Sequence, residues 1–361
     1  MNDMLKIGFV IGTRPNFVKA ASVINEFRKL NEYKTYVIHT GQHYDKEMSL
    51  NFLKDLNIGK PNYQLILSKK SQLFKLSQII HKIEKIFIKI DLDWIFVFGD
   101  VDSSFAAAYV AKRLNIKIAH VESGLRSFDY NMPEEINRIL IDKLSDLYFI
   151  TEKSAENNLL KEGVENSKIC FVGNTMIDSM VNNEKKINNS HVLNELKLES
   201  IDYVVVTLHR PSNVNNYSKL QKIIDFISRL NKGKIIVWPI HPRITLNEIK
   251  FHSSWKLIKP LKHFDFIHLI KKAGRVFTDS GGIQEETTFL NIPCYTIRKN
   301  TERPVTVDIG SNILLEKKLD YYKSLDNYDK NRKNIPKFWD GKSSKRILSF
   351  FKKKLKSNKF L

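Results

Sequence analysis

The stretch WIFVFGDVDSSFAAAYVAKRLNIKIAHVE, Trp94–Glu122, decides the fold class. Its opening residues, Trp94–Phe98, are apolar without alternation, the pattern of a strand buried on both faces. Gly99-Asp100 follows as a turn. Ser103–Leu114 then carries apolar residues at helical spacing, and Ile116–Val121 returns to a β-like run. Strand, helix, strand is a βαβ unit, and such units build parallel sheets covered by helices.

The same alternation extends in both directions. Further strands are expected at Lys6–Ile11, Thr35–His39, Leu147–Ile150 and Ile169–Val172, with helices at Phe17–Leu30 and Leu73–Ile90. A second set of strands reads Tyr203–Leu208, Lys234–Ile240, Lys256–Ile258, Arg275–Thr278, Cys294–Ile297 and Asn312–Leu314. Helical patterns at Lys219–Leu230, Leu261–Lys272 and Gly282–Leu290 separate them. The polar stretch Asn182–Ser200 joins the two sets. We read an α/β protein of two doubly wound domains, 1–180 and 181–342. The amphipathic basic helix Ser343–Lys356, within about 343–361, is expected to pack back on the first domain.

Composition is compatible with this. The chain has 361 residues, 42% of them hydrophobic and 27% charged, which excludes disordered and fibrous classes. No apolar run approaches the roughly 20 residues that span a bilayer. The opening MNDMLKIGFVIGT has no basic leader region and no small-residue cleavage site, so no signal peptide is expected. Cys170 and Cys294 each lie inside an apolar run and read as buried thiols, which suits a reducing cytoplasm. Lys+Arg total 59 against 39 Asp+Glu, a net charge of +20. The lysines are scattered over helix faces and the tail, without the aromatic interleaving of RNA-binding modules. They read as solvated surface, and no nucleic-acid partner is expected.

In an open parallel sheet, ligands bind beyond the carboxyl ends of the strands. The first strand is followed by Gly12-Thr13-Arg14-Pro15, with Arg14 at a helix N-terminus that favours anions and Lys19 about one turn further in. Asp100 and Glu122 follow two strands that, if adjacent, place two carboxylates along one sheet edge. Such a pair can flank one sugar carbon and exchange protons with it. Asp100 alone also reads as the N-cap of a helix starting near Val101. In Pro133-Glu134-Glu135-Ile136-Asn137-Arg138, Glu134 and Arg138 are expected on one helix face. His209 and His241 each end a strand of the second set, where a proton donor or phosphate ligand sits. Asp279-Ser280-Gly281-Gly282-Ile283-Gln284-Glu285-Glu286 follows a strand and opens a helix. Ser280, Gly281 and Gly282 suit close approach to a phosphate, Glu286 suits ribose hydroxyls, and Arg303 can add to the same anion. Neither a cysteine cluster nor an H-E-x-x-H, calcium-loop, Walker or G-x-S-x-G pattern is present, so no metal or cofactor is expected.

Taken together, these segments resemble the non-hydrolysing UDP-N-acetylglucosamine 2-epimerase family. The resemblance rests on IGTRPNFVKAA (Ile11–Ala21), HTGQHYDKEMS (His39–Ser49), GDVDSSFAAA (Gly99–Ala108), HVESGLRSFDYNMPEEINRIL (His120–Leu140), VGNTMID (Val172–Asp178), VTLHRPSNV (Val206–Val214), HPR, DSGGIQEETT (Asp279–Thr288) and NTERPVTV (Asn300–Val307). They occur in family order. The resemblance implies two Rossmann-like domains with a cleft between them, as in GT-B glycosyltransferases. It implies UDP-GlcNAc and UDP-ManNAc interconverted by anti elimination of UDP to 2-acetamidoglucal and re-addition, without cofactor. A cytoplasmic homodimer supplying polysaccharide synthesis is implied as well. Asp100, Glu122 and Glu134 would exchange protons, with Lys19 and Arg138 placing them. Arg14, His209, Ser280, Gly281 and Gly282 would hold the diphosphate, and Glu286 the ribose. Gln42, His43 and His241 match an activator site for a second UDP-GlcNAc, whereas an Arg expected near Ser71 is absent and Asp45 replaces a Gln. A hydrolysing 2-epimerase releasing ManNAc, an epimerase of a modified UDP-amino sugar, and a GT-B glycosyltransferase are the alternatives.

Overall fold

A computed structural model describes residues 4–42, 52–68, 71–240, 244, 246, 248–315 and 334–357. The chain divides into two units, Met1–Asn182 with Lys337–Leu361, and Asn183–Pro336.

The first unit contains strands β1 Leu5–Ile11, β2 Tyr33–His39, β3 Tyr63–Gln64, β4 Trp94–Phe98, β5 Lys117–Val121, β6 Leu147–Ile150 and β7 Ile169–Phe171. Helices α1 Arg14–Arg28, α2 Gln72–Ile90, α3 Asp102–Arg113, α4 Pro133–Leu144 and α5 Lys153–Lys161 lie between them, and α6 Thr175–Asn182 follows β7. The sheet order is β3-β2-β1-β4-β5-β6-β7, a Rossmann-like arrangement in which the order reverses between β1 and β4. Strand β4 is buried along its whole length because it feeds two cores. Ile95 and Val97 face a cluster with Ile79, Ile83 and Phe87 of α2 and Ala107, Val110 and Ala111 of α3. Phe96 packs into an aromatic layer, 5.2 Å from the Phe9 ring and 5.1 Å from Phe27. In the β4–β5 register Phe98 lies opposite Val121, so the two strands leave the sheet at the same level.

The second unit runs α7 Glu184–Asn188, α8 Val192–Glu195, β8 Tyr203–Thr207, α9 Pro211–Val214, α10 Tyr217–Leu230, β9 Ile235–Pro239, β10 Trp255–Ile258, α11 His263–Lys271, β11 Arg275–Thr278, α12 Gly281–Leu290, β12 Cys294–Thr296, α13 Pro304–Asp308 and β13 Asn312–Leu314. Its sheet order, β10-β9-β8-β11-β12-β13, repeats the first topology with the reversal between β8 and β11. Val204, Val206, Trp238 and Phe277 pack on one side with α10. Tyr203, Val205 and Val276 pack on the other with α11. The stretch Asn182–Ser200, read from sequence as the polar join at the head of the second domain, falls from Asn183 onward in this unit. It forms α7 and α8, and Val192 and Leu198 are buried against Leu269 and Ile270. A few well-placed apolar side chains suffice to dock an otherwise polar segment.

Helix α14, Ser343–Lys356, belongs to the first unit. Its Phe351 ring lies 5.5 Å from Phe27, 5.4 Å from Phe96 and 5.0 Å from Trp94. Asp178 of α6 receives the Ser343 and Ser344 amides at 3.0 and 2.7 Å and so caps α14 from a neighbouring helix. Trp339 is buried and its Nε1 donates to the Thr151 carbonyl at 3.1 Å. Cys294 is buried and Cys170 half-buried; burial pushes both free thiols up to about 11. Among the described residues no helix is long and apolar enough to cross a membrane.

Candidate active site

In the first unit the loops after β1, β4 and β5 carry the polar residues singled out by sequence. Lys19, buried in the second turn of α1, places Nζ 2.6 Å from Glu122 Oε2. Glu122 leaves β5 with φ 71°, a left-handed conformation that costs a side-chain-bearing residue of order 1–3 kcal/mol. Its amide donates to the Phe149 carbonyl at 2.9 Å, which fixes that turn. Gly99 turns the same way at the end of β4, with φ 58°. A Cβ on Gly99 would stand 3.1 Å from Lys19 Nζ, so the glycine makes room for the ion pair.

Asp100 is not a helix cap. Val101 holds that position without a side-chain bond, and the Asp100 carboxylate pairs with Arg138. Arg138 also pairs with Glu135 rather than with Glu134. Residues three and four apart share a helix face. The backbone chooses between them here: the Ser127 and Phe128 amides donate to Glu135 at 3.0 and 2.8 Å and draw it inward. Glu134 is exposed in the first turn of α4. Asn137 donates to the Asp100 carbonyl and to Asp102 Oδ1, each at 3.0 Å.

Arg14 begins α1, half-buried, with its guanidinium 5.3 Å from the Phe52 ring. Gln42 is turned toward α3, where its Oε1 accepts from the Ser103 amide at 3.1 Å and hydroxyl at 2.6 Å. His43 and His241 lie outside the described residues.

In the second unit, His209 follows β8 and Asp279 follows the adjacent β11. His209 Nδ1 lies 2.9 Å from Asp279 Oδ1, and the imidazole is half-exposed. Asp279 also accepts the His209 and Arg210 amides at 3.1 and 3.0 Å and Asn213 Nδ2 at 3.1 Å. Burial pushes its carboxyl up, but His209 and these donors outweigh that and hold it below the usual range. Fixing Nδ1 leaves Nε2 as the ring atom for a ligand.

Ser280 is the N-cap of α12 and its side chain makes no capping bond. The first-turn amides at Gly281 and Gly282 therefore head a helix of the anion-binding kind. Glu286 is buried in this helix, and burial followed by the Glu285 charge pushes its carboxyl up to about 8. Arg303 differs from expectation. Its guanidinium stands against Gly281, where a Cβ would come within 2.5 Å of Nη1. It is already shared by Glu302 and by Glu285, the latter at 2.9 Å. Two nearby carboxylates thus claim the cation assigned to an incoming anion.

Sequence reading missed the partners more than the principals. Asp279 as the group that orients His209, and Glu135 as the group that orients Arg138, became evident only through strand adjacency and helix register. Among the described residues no group of three or more His, Cys, Asp or Glu side chains is placed to hold a metal ion.

A profile of the family described as UDP-N-acetylglucosamine 2-epimerase matches residues 25–352. A UDP-N-acetylglucosamine 2-epimerase of Methanocaldococcus jannaschii is 39% identical over 362 residues, covering 95% of this chain and 98% of that protein. A UDP-2,3-diacetamido-2,3-dideoxy-D-glucuronate 2-epimerase of Pseudomonas aeruginosa is 35% identical over 317 residues, 86% of this chain and 88% of that protein. The crystal structure of the M. jannaschii UDP-GlcNAc 2-epimerase in complex with UDP-GlcNAc and UDP matches with a TM-score of 0.87 at 37% identity, covering 97% of this chain and 100% of that one.

Proposed function

The chain belongs to the UDP-N-acetylglucosamine 2-epimerase family, and from that premise we propose that it interconverts UDP-GlcNAc and UDP-ManNAc without net hydrolysis. The observation that supports this best is the pair of carboxylates on adjacent strand ends, Asp100 beside Arg138 and Glu122 beside Lys19. Inversion at C2 requires a proton acceptor on one face of the sugar and a donor on the other.

The chemistry balances as an anti elimination followed by re-addition. A carboxylate takes the C2 proton, the C1–C2 double bond forms and the C1–O bond breaks, and UDP leaves with the electron pair. Re-addition of UDP at C1 is accompanied by protonation of C2 from the opposite face. Asp100, Glu122 and Glu134 are the groups we assign to these transfers. The C2 hydrogen is not next to a carbonyl, so stabilising the departing diphosphate carries much of the barrier. Arg14, His209 Nε2, Ser280 and the amides of Gly281 and Gly282 are assigned to that task, and Glu286 to the ribose. In the same reading the enzyme is a cytoplasmic homodimer that supplies ManNAc-type sugars for surface polysaccharide, and light scattering of the purified protein tests the dimer.

Incubating UDP-GlcNAc with enzyme in D2O and following the products by NMR tests the reaction. Deuterium at C2 of both epimers is the expected result. Free ManNAc with UDP would instead identify a hydrolysing enzyme, and no exchange at all would remove the epimerase reading. The similarity to the Pseudomonas relative favours one second reading, a diacetamido uronate substrate. Faster turnover of that sugar nucleotide than of UDP-GlcNAc would establish it.

A further inference from the structure

His120 is fully buried in β5, two residues before Glu122. Its Nδ1 lies 2.7 Å from Asp142 Oδ1, and its Nε2 lies 3.1 Å from the carbonyl oxygen of Gly99. Both neighbours are acceptors. A carbonyl oxygen has no hydrogen to give, and Asp142 is held as a carboxylate. Arg126 Nη1 sits 2.8 Å from Asp142 Oδ2, and the Gly124 amide donates to the same oxygen at 3.0 Å. The imidazole therefore satisfies both contacts only by donating from both nitrogens.

The Gly99 carbonyl belongs to the peptide that precedes Asp100. The Gly99 amide still pairs with the Val121 carbonyl at 2.9 Å; at Gly99, with φ 58°, the chain turns, and the Gly99 carbonyl meets His120 Nε2. His120 of β5 holds this peptide directly, and helix α4 supplies His120's partner and two further contacts to Asp100. Asn137 holds the Asp100 carbonyl, Arg138 holds the Asp100 carboxylate, and Asp142 holds His120 against the Gly99 carbonyl. Arg138 and Asp142 are four residues apart and so share a face of α4. We propose that His120, clamped by Asp142, is a positioning residue that fixes the Gly99–Asp100 peptide and thereby aims the Asp100 carboxylate. This rests on Asp100 acting in the proposed reaction.

Two isosteric variants separate the two contacts. In His120→Gln the side-chain amide nitrogen replaces Nε2 and can still donate to the Gly99 carbonyl. In His120→Asn the amide nitrogen replaces Nδ1 and can still donate to Asp142. If the Gly99 contact matters, His120→Asn lowers kcat about 100-fold with KM changed less than about threefold, since a misaimed group harms the transition state more than binding. His120→Gln recovers kcat to within about tenfold of the parent. A purely structural role would lower Tm in both variants and leave kcat per folded molecule unchanged, and that result overturns the proposal. Equal kcat losses in the two variants overturn it as well. Nitrogen-15 histidine NMR of the whole protein gives a readout independent of turnover. Two protonated ring nitrogens at His120 are expected, and a bare Nδ1 or Nε2 refutes the clamp. If the parent protein shows no deuterium exchange, the epimerase reading has failed, while the NMR result still decides whether the clamp exists.

Discussion

Replacing Lys19 by Met tests how the first unit tolerates its buried charge. Lys19 Nζ and Glu122 Oε2 are 2.6 Å apart, with side chains only 6% and 3% exposed. At an effective dielectric of about 20, that separation gives a gross attraction of roughly 6 kcal/mol. Removing each ion from water costs several kcal/mol, so the pair as a whole is close to neutral against an apolar replacement. Breaking it is different. Lys19→Met keeps the volume and takes the ammonium from beside the Glu122 carboxylate in a dry site, which costs about 3–5 kcal/mol. For a unit of this size that lowers the unfolding temperature by about 6–20 °C. Adding Glu122→Gln removes the buried carboxylate charge as well, and the double variant should regain more than about 2 kcal/mol relative to Lys19→Met. Calorimetry gives the total loss. Hydrogen exchange at β4 and β5, read by mass spectrometry, assigns it to the first unit. Additive effects of the two substitutions, or a Lys19→Met loss below about 1 kcal/mol, would show that the pair is solvated and that the argument from burial is wrong.

Three further outcomes follow from the same geometry. Asp100→Asn and Glu122→Gln should each lower turnover by about two to four orders of magnitude while titration calorimetry finds UDP affinity within about threefold of the parent. Loss of UDP binding would reassign both residues to ligand holding. Gly281→Ala should weaken UDP binding by about tenfold or more, because its Cβ would lie 2.5 Å from Arg303 Nη1; unchanged affinity would mean the amides are not used. Glu286 has an ordinary value of 4.5 and is pushed up to about 8 in the fold. Between those values the folded form holds the extra proton, so stability should fall as pH rises through the window. Denaturation midpoints at about pH 5 and about pH 8 measure that slope, and Glu286→Gln should flatten it.

The sheets were legible in the sequence because both their faces are buried. Runs such as Trp94–Phe98 and Val204–Val206 are apolar throughout. The edge strand β3 is only two residues long, Tyr63–Gln64, too short to carry a period. Helices α7 and α8 were hidden for a different reason, since Ile187, Val192 and Leu198 are too few to write a stripe. In the site, residues that follow strands were legible because topology puts them at one edge. Their counter-ions were not. Glu134 and Glu135 are equivalent by helical spacing, and only the amides at Ser127 and Phe128 select Glu135. His209 and Asp279 are 70 residues apart, and nothing local announces that they meet.

The return of α14 also orders events on the ribosome. Residues 183–336 form one unbroken segment and can complete their unit as soon as they emerge. The earlier-made segment cannot, because Phe351 has yet to fill its place among Trp94, Phe96 and Phe27. The part synthesised first is therefore finished last, with an aromatic surface awaiting its lid throughout translation.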